Sequence, residues 1–245
     1  MPNPTAAILV IGDEILSGRT RDANMHHLAK VLSEIGIDLK EARFVSDVET
    51  AILNAVRSLS TSYDHVFTSG GIGPTHDDIT ADAIAAAFHT HIDVRADALN
   101  ILRMHYERQG IELNEARLRM ARIPDGAELI DNPVSAAPGF RLGNVYVMAG
   151  VPYIFQAMMH SVLPYLTGGL PILSETVRIT RGEGDIAADL SALAQTYADV
   201  TLGSYPFQKD GIHGTNLVLR SSDKDRLASA KAELIKRLQN GASTL

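Results

Sequence analysis

The sequence predicts an α/β protein with a mostly parallel sheet, joined to a small C-terminal α+β domain. Three observations support this. Short apolar runs alternate with stretches of helical periodicity from Ala6 to Val162, the pattern of repeated strand–helix units. A glycine-rich loop, Thr68–Thr80 (TSGGIGPTHDDIT), follows one of those runs. Beyond Leu166–Pro171 (LTGGLP) the pattern changes to strand, helix, two strands and a final helix. The predicted domains are residues 1–168 and 171–245.

Ala6–Ile11 is a short apolar run ending at Gly12, which suits a buried strand. A helix is predicted from Ala23 to about Ile35, capped by Asp22 and stopped by Gly36, with Met25, Leu28, Leu32 and Ile35 on its apolar face. Ile37–Ser46 reads as a second strand. The next helix runs from about Val48 to Ser60 with Ile52, Val56 and Leu59 inward. Asp64–Ser69 is the third strand, and a helix from Thr80 to Phe88 follows the glycine loop. Arg95–Ala121 is helix-rich and broken at Gly110. Val145–Met148 is a further buried strand, and a helix runs from Tyr153 to about Val162. In the second domain, strands are predicted at Glu175–Thr180, Val200–Phe207 and Asn216–Ser221. Ile186, Leu190, Leu193 and Tyr197 mark one helix. Leu227, Ala230, Leu234 and Leu238 mark another.

The 245 residues are 45% apolar and 21% charged, an ordinary globular composition long enough to bury a core. The absence of cysteine excludes disulfides, thiolate metal sites and cysteine nucleophiles. The N-terminus lacks the basic region of a signal peptide, and no apolar run reaches the ~20 residues that span a bilayer. A cytoplasmic protein without membrane partners is expected. The net charge of −7 argues against nucleic acid as a general partner, while leaving room for a local basic patch.

The loop carries the chemistry. Gly70, Gly71 and Gly73 let a ligand approach the main chain, and backbone N–H groups near a helix start attract anions. Asp77 and Asp78 would repel a phosphate unless a divalent cation with oxygen ligands intervenes. At least one of the two is expected to cap the helix at Thr80, and Asp78 is the better ligand candidate. Asp13 and Glu14 follow the first strand and Asp47 the second, so three strand ends carry acids along one sheet edge. Each acid singly could be a solvated helix cap, and spacing leaves both readings open. His26 and His27 are adjacent on a helix and face different ways, so no shared metal is expected there; His76 lies in the loop.

GDEILSGRTRDAN, GIDLKEARFVSD, TSGGIGPTHDDIT and NPVSAAPGF together resemble the N-terminal region of CinA-type competence/damage-inducible proteins, within the molybdopterin-binding (MoaB/Mog-like) superfamily. The resemblance spans roughly residues 5–166, and GGxGPTxDDxT is its most specific motif. It implies a three-layer α/β/α domain with a pocket at the strand ends. It also implies a homo-oligomer, dimer or trimer. Some relatives hydrolyse dinucleotide pyrophosphates such as ADP-ribose or FAD with a divalent metal (Mg, Mn or Co); Mog-type relatives bind molybdopterin. Carried onto this sequence, the resemblance makes Asp47 and Asp78 the catalytic acids. The convergence of strand-end acids makes Asp13, Glu14, Asp47 and Asp78 the expected metal-holding set. Gly12, Asn24, Ser69, Gly70, Gly71, Gly73, Pro74, Thr75 and Gly139 become the substrate-binding set.

The sequence departs from the family pattern at three places. It ends at Leu245, so the C-terminal amidase activity of longer relatives is not expected. The motif PGVPxEM reads AGVPYIF here, with Ile154 in place of an acid. Ser135-Ala136 stands where a glycine usually precedes APGF. Two functions follow as expectations. The first is a metal-dependent nucleotide pyrophosphatase. The second is a molybdopterin- or nucleotide-binding protein without hydrolysis, which the change at Ile154 favours. A purely structural oligomer ranks below both, since packing needs no acids at three strand ends.

Overall fold

The computed structural model describes residues 2–241. The chain divides into two compact units, Met1–Gly169 and Leu170–Leu245.

In the first unit the elements run β1 (Thr5–Ile11), α1 (Asp13–Leu16), α2 (Asn24–Glu34), β2 (Asp38–Val45), α3 (Glu49–Ser62), β3 (His65–Ser69) and α4 (Thr80–Ala87). These are followed by β4 (Ile92–Val94), α5 (Ala96–Gln109), α6 (Glu115–Leu118), β5 (Arg122–Pro124), β6 (Glu128–Ile130), β7 (Gly139–Leu142), β8 (Val145–Met148) and α7 (Pro152–Val162). Six strands form one sheet in the order β2-β1-β3-β8-β7-β6, and β4 and β5 form a separate antiparallel pair. β2, β1, β3 and β8 are mutually parallel; β7 runs antiparallel to β8 and β6 antiparallel to β7.

Both faces of the sheet are covered, which explains why β1 reads as an unbroken apolar run. Ala7, Leu9 and Ile11 point to one core, shared with Ile52, Val56 and Leu59 of α3, Ile84 of α4 and Leu102 of α5. Ala6, Ile8 and Val10 point to the other, shared with Leu28 and Leu32 of α2 and Phe155, Met158 and Met159 of α7. The alternation of side chains along a strand thus feeds two helix layers from one segment. Each of the larger side chains removed from water contributes about 1.5–3 kcal/mol, and the alanines less. The result is a three-layer α/β/α unit.

Helix ends follow local chemistry. Asp22 accepts the N–H groups of Asn24 and Met25 (3.2 and 3.1 Å), opening α2 as the sequence predicts. α5 stops at Gly110, whose φ of 66° is left-handed. β4, β5, β6 and β7 lie in stretches to which periodicity assigns no element.

The second unit comprises β9 (Leu173–Ile179), α8 (Glu183–Thr196), β10 (Thr201–Lys209), β11 (Ile212–Ser221) and α9 (Lys224–Gly241). Its sheet is antiparallel in the order β10-β11-β9. Ile186 and Leu193 of α8 and Leu227, Ala230 and Leu234 of α9 pack on Leu217 and Leu219 of β11.

Candidate functional site

β1, β2, β3 and β8 end together, and the segments leaving those ends enclose a cleft of about 610 Å³. The volume suits a small organic ligand. Gly12 and Glu14 enter after β1, Asp47 after β2, Gly70–Pro74 and Asp77–Asp78 after β3, and Ala149–Pro152 and Ile154 after β8. Asn132, Ser135 and Ala137 close it from the loop between β6 and β7.

The acids of the first two strand ends touch directly. Asp47 Oδ2 accepts the backbone N–H of Asp13 at 2.9 Å. Burial raises the Asp47 pKa; the Asp13 N–H opposes this, and the charges of Asp13, Glu14 and Asp77 raise it further. Asp13 itself does not line the cleft; its backbone orients Asp47. Among the described residues, no three His, Asp or Glu side chains are placed to hold a metal ion by themselves.

The glycine loop is fixed at both ends. Gly70 and Gly71 have φ of 112° and 70°, and a Cβ at Gly71 would collide with the Thr80 hydroxyl. Thr80 is fully buried; its hydroxyl donates to the Gly70 carbonyl (3.0 Å) and its N–H to the Gly71 carbonyl (2.9 Å). Not all the glycine N–H groups face a ligand. That of Gly12 is committed to the Val45 carbonyl and that of Gly70 to the Met148 carbonyl, both at 3.1 Å. The N–H groups of Gly71, Ile72 and Gly73 have no partner among the described residues.

The expectation that Asp77 or Asp78 caps α4 is corrected. The residue before α4 is Ile79, and no side chain caps the helix. Asp78 instead turns back within the loop, and its Oδ2 accepts the N–H and hydroxyl of Thr75 (2.8 and 2.5 Å). Thr80 closes the loop onto Gly70 and Gly71, so the helix start is held by the threonine and needs no carboxylate.

Of the substrate-binding candidates, Gly12, Gly70, Gly71, Gly73 and Pro74 line the cleft, while Asn24, Ser69, Thr75 and Gly139 do not. Asn24 and Ser69 are buried, and Asn24 Nδ2 donates to Ser69 Oγ and to the Gly150 carbonyl, both at 2.7 Å. They tie the ends of β3 and β8 to α2. Gly139 lies in β7 under Met158 and the Val147 carbonyl, with no room for a side chain. The sequence pattern did not point to Arg19 and Thr20 on the cleft wall, nor to Asn132. Arg19 was visible only as the one cation in GDEILSGRT. Asn132 is buried and organises its loop, donating to Ser135 Oγ and the Ala137 carbonyl.

Residues 7–168, which contain every residue lining this cleft, match the family described as "Probable molybdopterin binding domain". The chain belongs to that family. Residues 171–244 match a second model, "FAD synthase, middle domain". Among curated relatives, a "CinA-like protein" of Citrifermentans bemidjiense is 37% identical over 95% of this chain and 58% of its own length. A "Probable FAD synthase" of Caenorhabditis briggsae is 31% identical over 94% of this chain and 49% of its own. The chain thus spans about half the length of the curated relatives it matches. A solved CinA structure from Thermoplasma acidophilum aligns with TM-score 0.61 and 32% identity over 66% of this chain and 98% of that one. Membership in the molybdopterin-binding domain family accounts for the three-layer unit. Among the described residues, no helix is long and apolar enough to cross a membrane.

Proposed function

We propose that the cleft binds a nucleotide carrying a pyrophosphate and hydrolyses its anhydride with a divalent cation, ADP-ribose or FAD being the substrate type. The observation that carries this reading is the meeting of Glu14, Asp47, Asp77 and Asp78 in the same cleft as the unpaired N–H groups of Gly71, Ile72 and Gly73. Backbone donors and carboxylates lining the same cleft suit an anion bridged by a cation. The relatives with FAD-synthase and CinA-like names favour a nucleotide as the anion.

The donor set fits a hard ion. All four side chains offer oxygen only, and a Mg²⁺-type ion keeps several waters and needs one or two carboxylates rather than a protein cage. Asp47 and Asp78 would hold it, with water filling the rest of its shell and Asp13 orienting Asp47 through its N–H. Bound there, the ion supplies positive charge against phosphate oxygens. Arg19 adds a second positive group to the wall. A water that adds to one phosphorus gives its proton to a cleft carboxylate that the ion does not engage. The bond to the bridging oxygen breaks, and two phosphate monoesters leave.

A second reading, binding of a pterin or nucleotide without hydrolysis, is favoured by the apolar Ile154 on the cleft wall and by the family's molybdopterin description. Incubation with ADP-ribose and FAD across Mg²⁺, Mn²⁺ and Co²⁺, following release of AMP, separates the two. Turnover that disappears in Asp47→Asn and Asp78→Ala supports hydrolysis. Calorimetric binding without turnover supports the second reading, and neither binding nor turnover contradicts both.

A further inference from the structure

The small domain's helices cover only one face of its sheet. Val177, Ile179, Leu202, Leu217 and Leu219 point to α8 and α9. Unbroken antiparallel register places the alternate residues on the opposite face. That face carries Arg178, Lys209 and Arg220, together with Tyr205 and Phe207, and no Asp or Glu.

The domain's charges are segregated rather than in excess. Residues 171–245 hold nine Lys and Arg against nine Asp and Glu. Three of the acids are engaged elsewhere: Glu175 pairs with Lys231 at 2.9 Å, Asp199 with Arg226 at 2.6 Å, and Asp223 accepts the N–H groups of Asp225 and Arg226 at the start of α9. The whole of the chain's net charge of −7 therefore lies in residues 1–170 and does not describe this face.

The two rings lie against backbone. A Cβ at Gly203 would meet the Tyr205 ring at 2.9 Å, and one at Gly214 would meet the Phe207 ring at 2.7 Å. The Arg178 guanidinium sits over Phe207, 3.7 Å from its centroid. Tyr205 is 58% exposed. The face thus presents a phenol ring and a guanidinium plane, flanked by two more cations.

We propose that this face binds single-stranded nucleic acid. Every base has a π face that can stack on an aromatic ring or on an arginine plane, and each nucleotide brings a phosphate for a cation. A duplex keeps its bases stacked on one another and cannot offer them. The two roomiest clefts described, of about 650 and 610 Å³, are lined by residues of the first unit. An extended sheet surface suits a flexible strand better than a compact ligand.

The test uses the full chain and fluorescence anisotropy with labelled single-stranded RNA and DNA of about eight nucleotides, within the usual range of site sizes. A duplex of equal length and inorganic polyphosphate serve as comparisons. The expected result is a preference for the single strand at low salt. Tyr205→Ala weakens binding about 5- to 150-fold, the loss of one base–aromatic stack. Arg220→Gln flattens the slope of log affinity against log salt by about 0.7, the change expected when one phosphate is no longer neutralised. Tyr205→Phe retains most of the affinity. Unchanged thermal unfolding shows that the variants fold. No binding at low salt would overturn the proposal. So would equal affinity for polyphosphate or duplex, insensitivity to Tyr205→Ala, or binding abolished by Asp47→Asn, which would place the strand in the other domain's cleft.

Discussion

Thr80→Val isolates the hydrogen bond that closes the glycine loop. Valine nearly matches threonine in volume, so the fully buried site keeps its packing, and the backbone N–H still reaches the Gly71 carbonyl. What disappears is the 3.0 Å bond from the hydroxyl to the Gly70 carbonyl. Gly70 is buried, so its carbonyl is left without a partner and without water. That loss costs about 1–3 kcal/mol. With a urea dependence of about 2–3 kcal/mol per molar, the unfolding midpoint of the large domain falls by roughly 0.3–1.5 M. Urea titration followed by circular dichroism reads this, and hydrogen exchange at the bonded N–H groups of Gly70 and Thr80 should quicken with it. A midpoint within about 0.2 M of wild type would show that the threonine does not hold the loop.

Three further outcomes follow from other parts of the molecule. Burial holds the His65 pKa below 6.5, so the unfolded chain takes up a proton that the folded one refuses. Stability is therefore full above pH 6.5 and falls as pH drops through that value toward the folded pKa; denaturation across pH 5–8 should show a shallower decline in His65→Gln. Arg19→Ala should weaken nucleotide binding without moving the melting temperature, because Arg19 is an exposed wall residue; calorimetry and thermal melting check the two halves. Leu193→Ala, fully buried in the small domain's core, should cost about 2–5 kcal/mol there and leave nucleotide affinity unchanged, as measured by proteolysis of the second unit alongside calorimetry.

The parallel half of the large sheet was legible because burial on two faces leaves a continuous apolar run. Ala6–Ile11 and Val145–Met148 could hardly be anything else. The antiparallel edge was not. β6 and β7 have three and four residues, too few for a period of two to show, and in the separate pair β5 has three and ends on a proline. At the site, acids at successive strand ends were a sound guide to one another's position, since parallel strands deliver their C-terminal ends to one edge. The reading that failed concerns which way a side chain turns: neither Asp77 nor Asp78 caps the helix, and Asp78 finds Thr75 within the loop. Asn24 and Ser69 bond to each other inside the protein, while Asn24 Oδ1 is buried without a partner among the described residues. A polar residue near a cleft has two sources of partners, ligand and protein, and one dimension does not separate them. Arg19 was hidden for the opposite reason. Arg19 and Arg21 share one loop, and only the fold shows that Arg19 reaches the wall.

The most direct measurement is the affinity of ADP-ribose as a function of Mg²⁺ concentration, by calorimetry, in the wild-type chain and in Asp47→Asn. A cation bridging carboxylates to a pyrophosphate requires binding that strengthens with Mg²⁺ in the wild type and loses that dependence in the variant. Equal affinity in Mg²⁺ and in chelator, or a variant that responds to Mg²⁺ as the wild type does, would contradict a cation-bridged cleft.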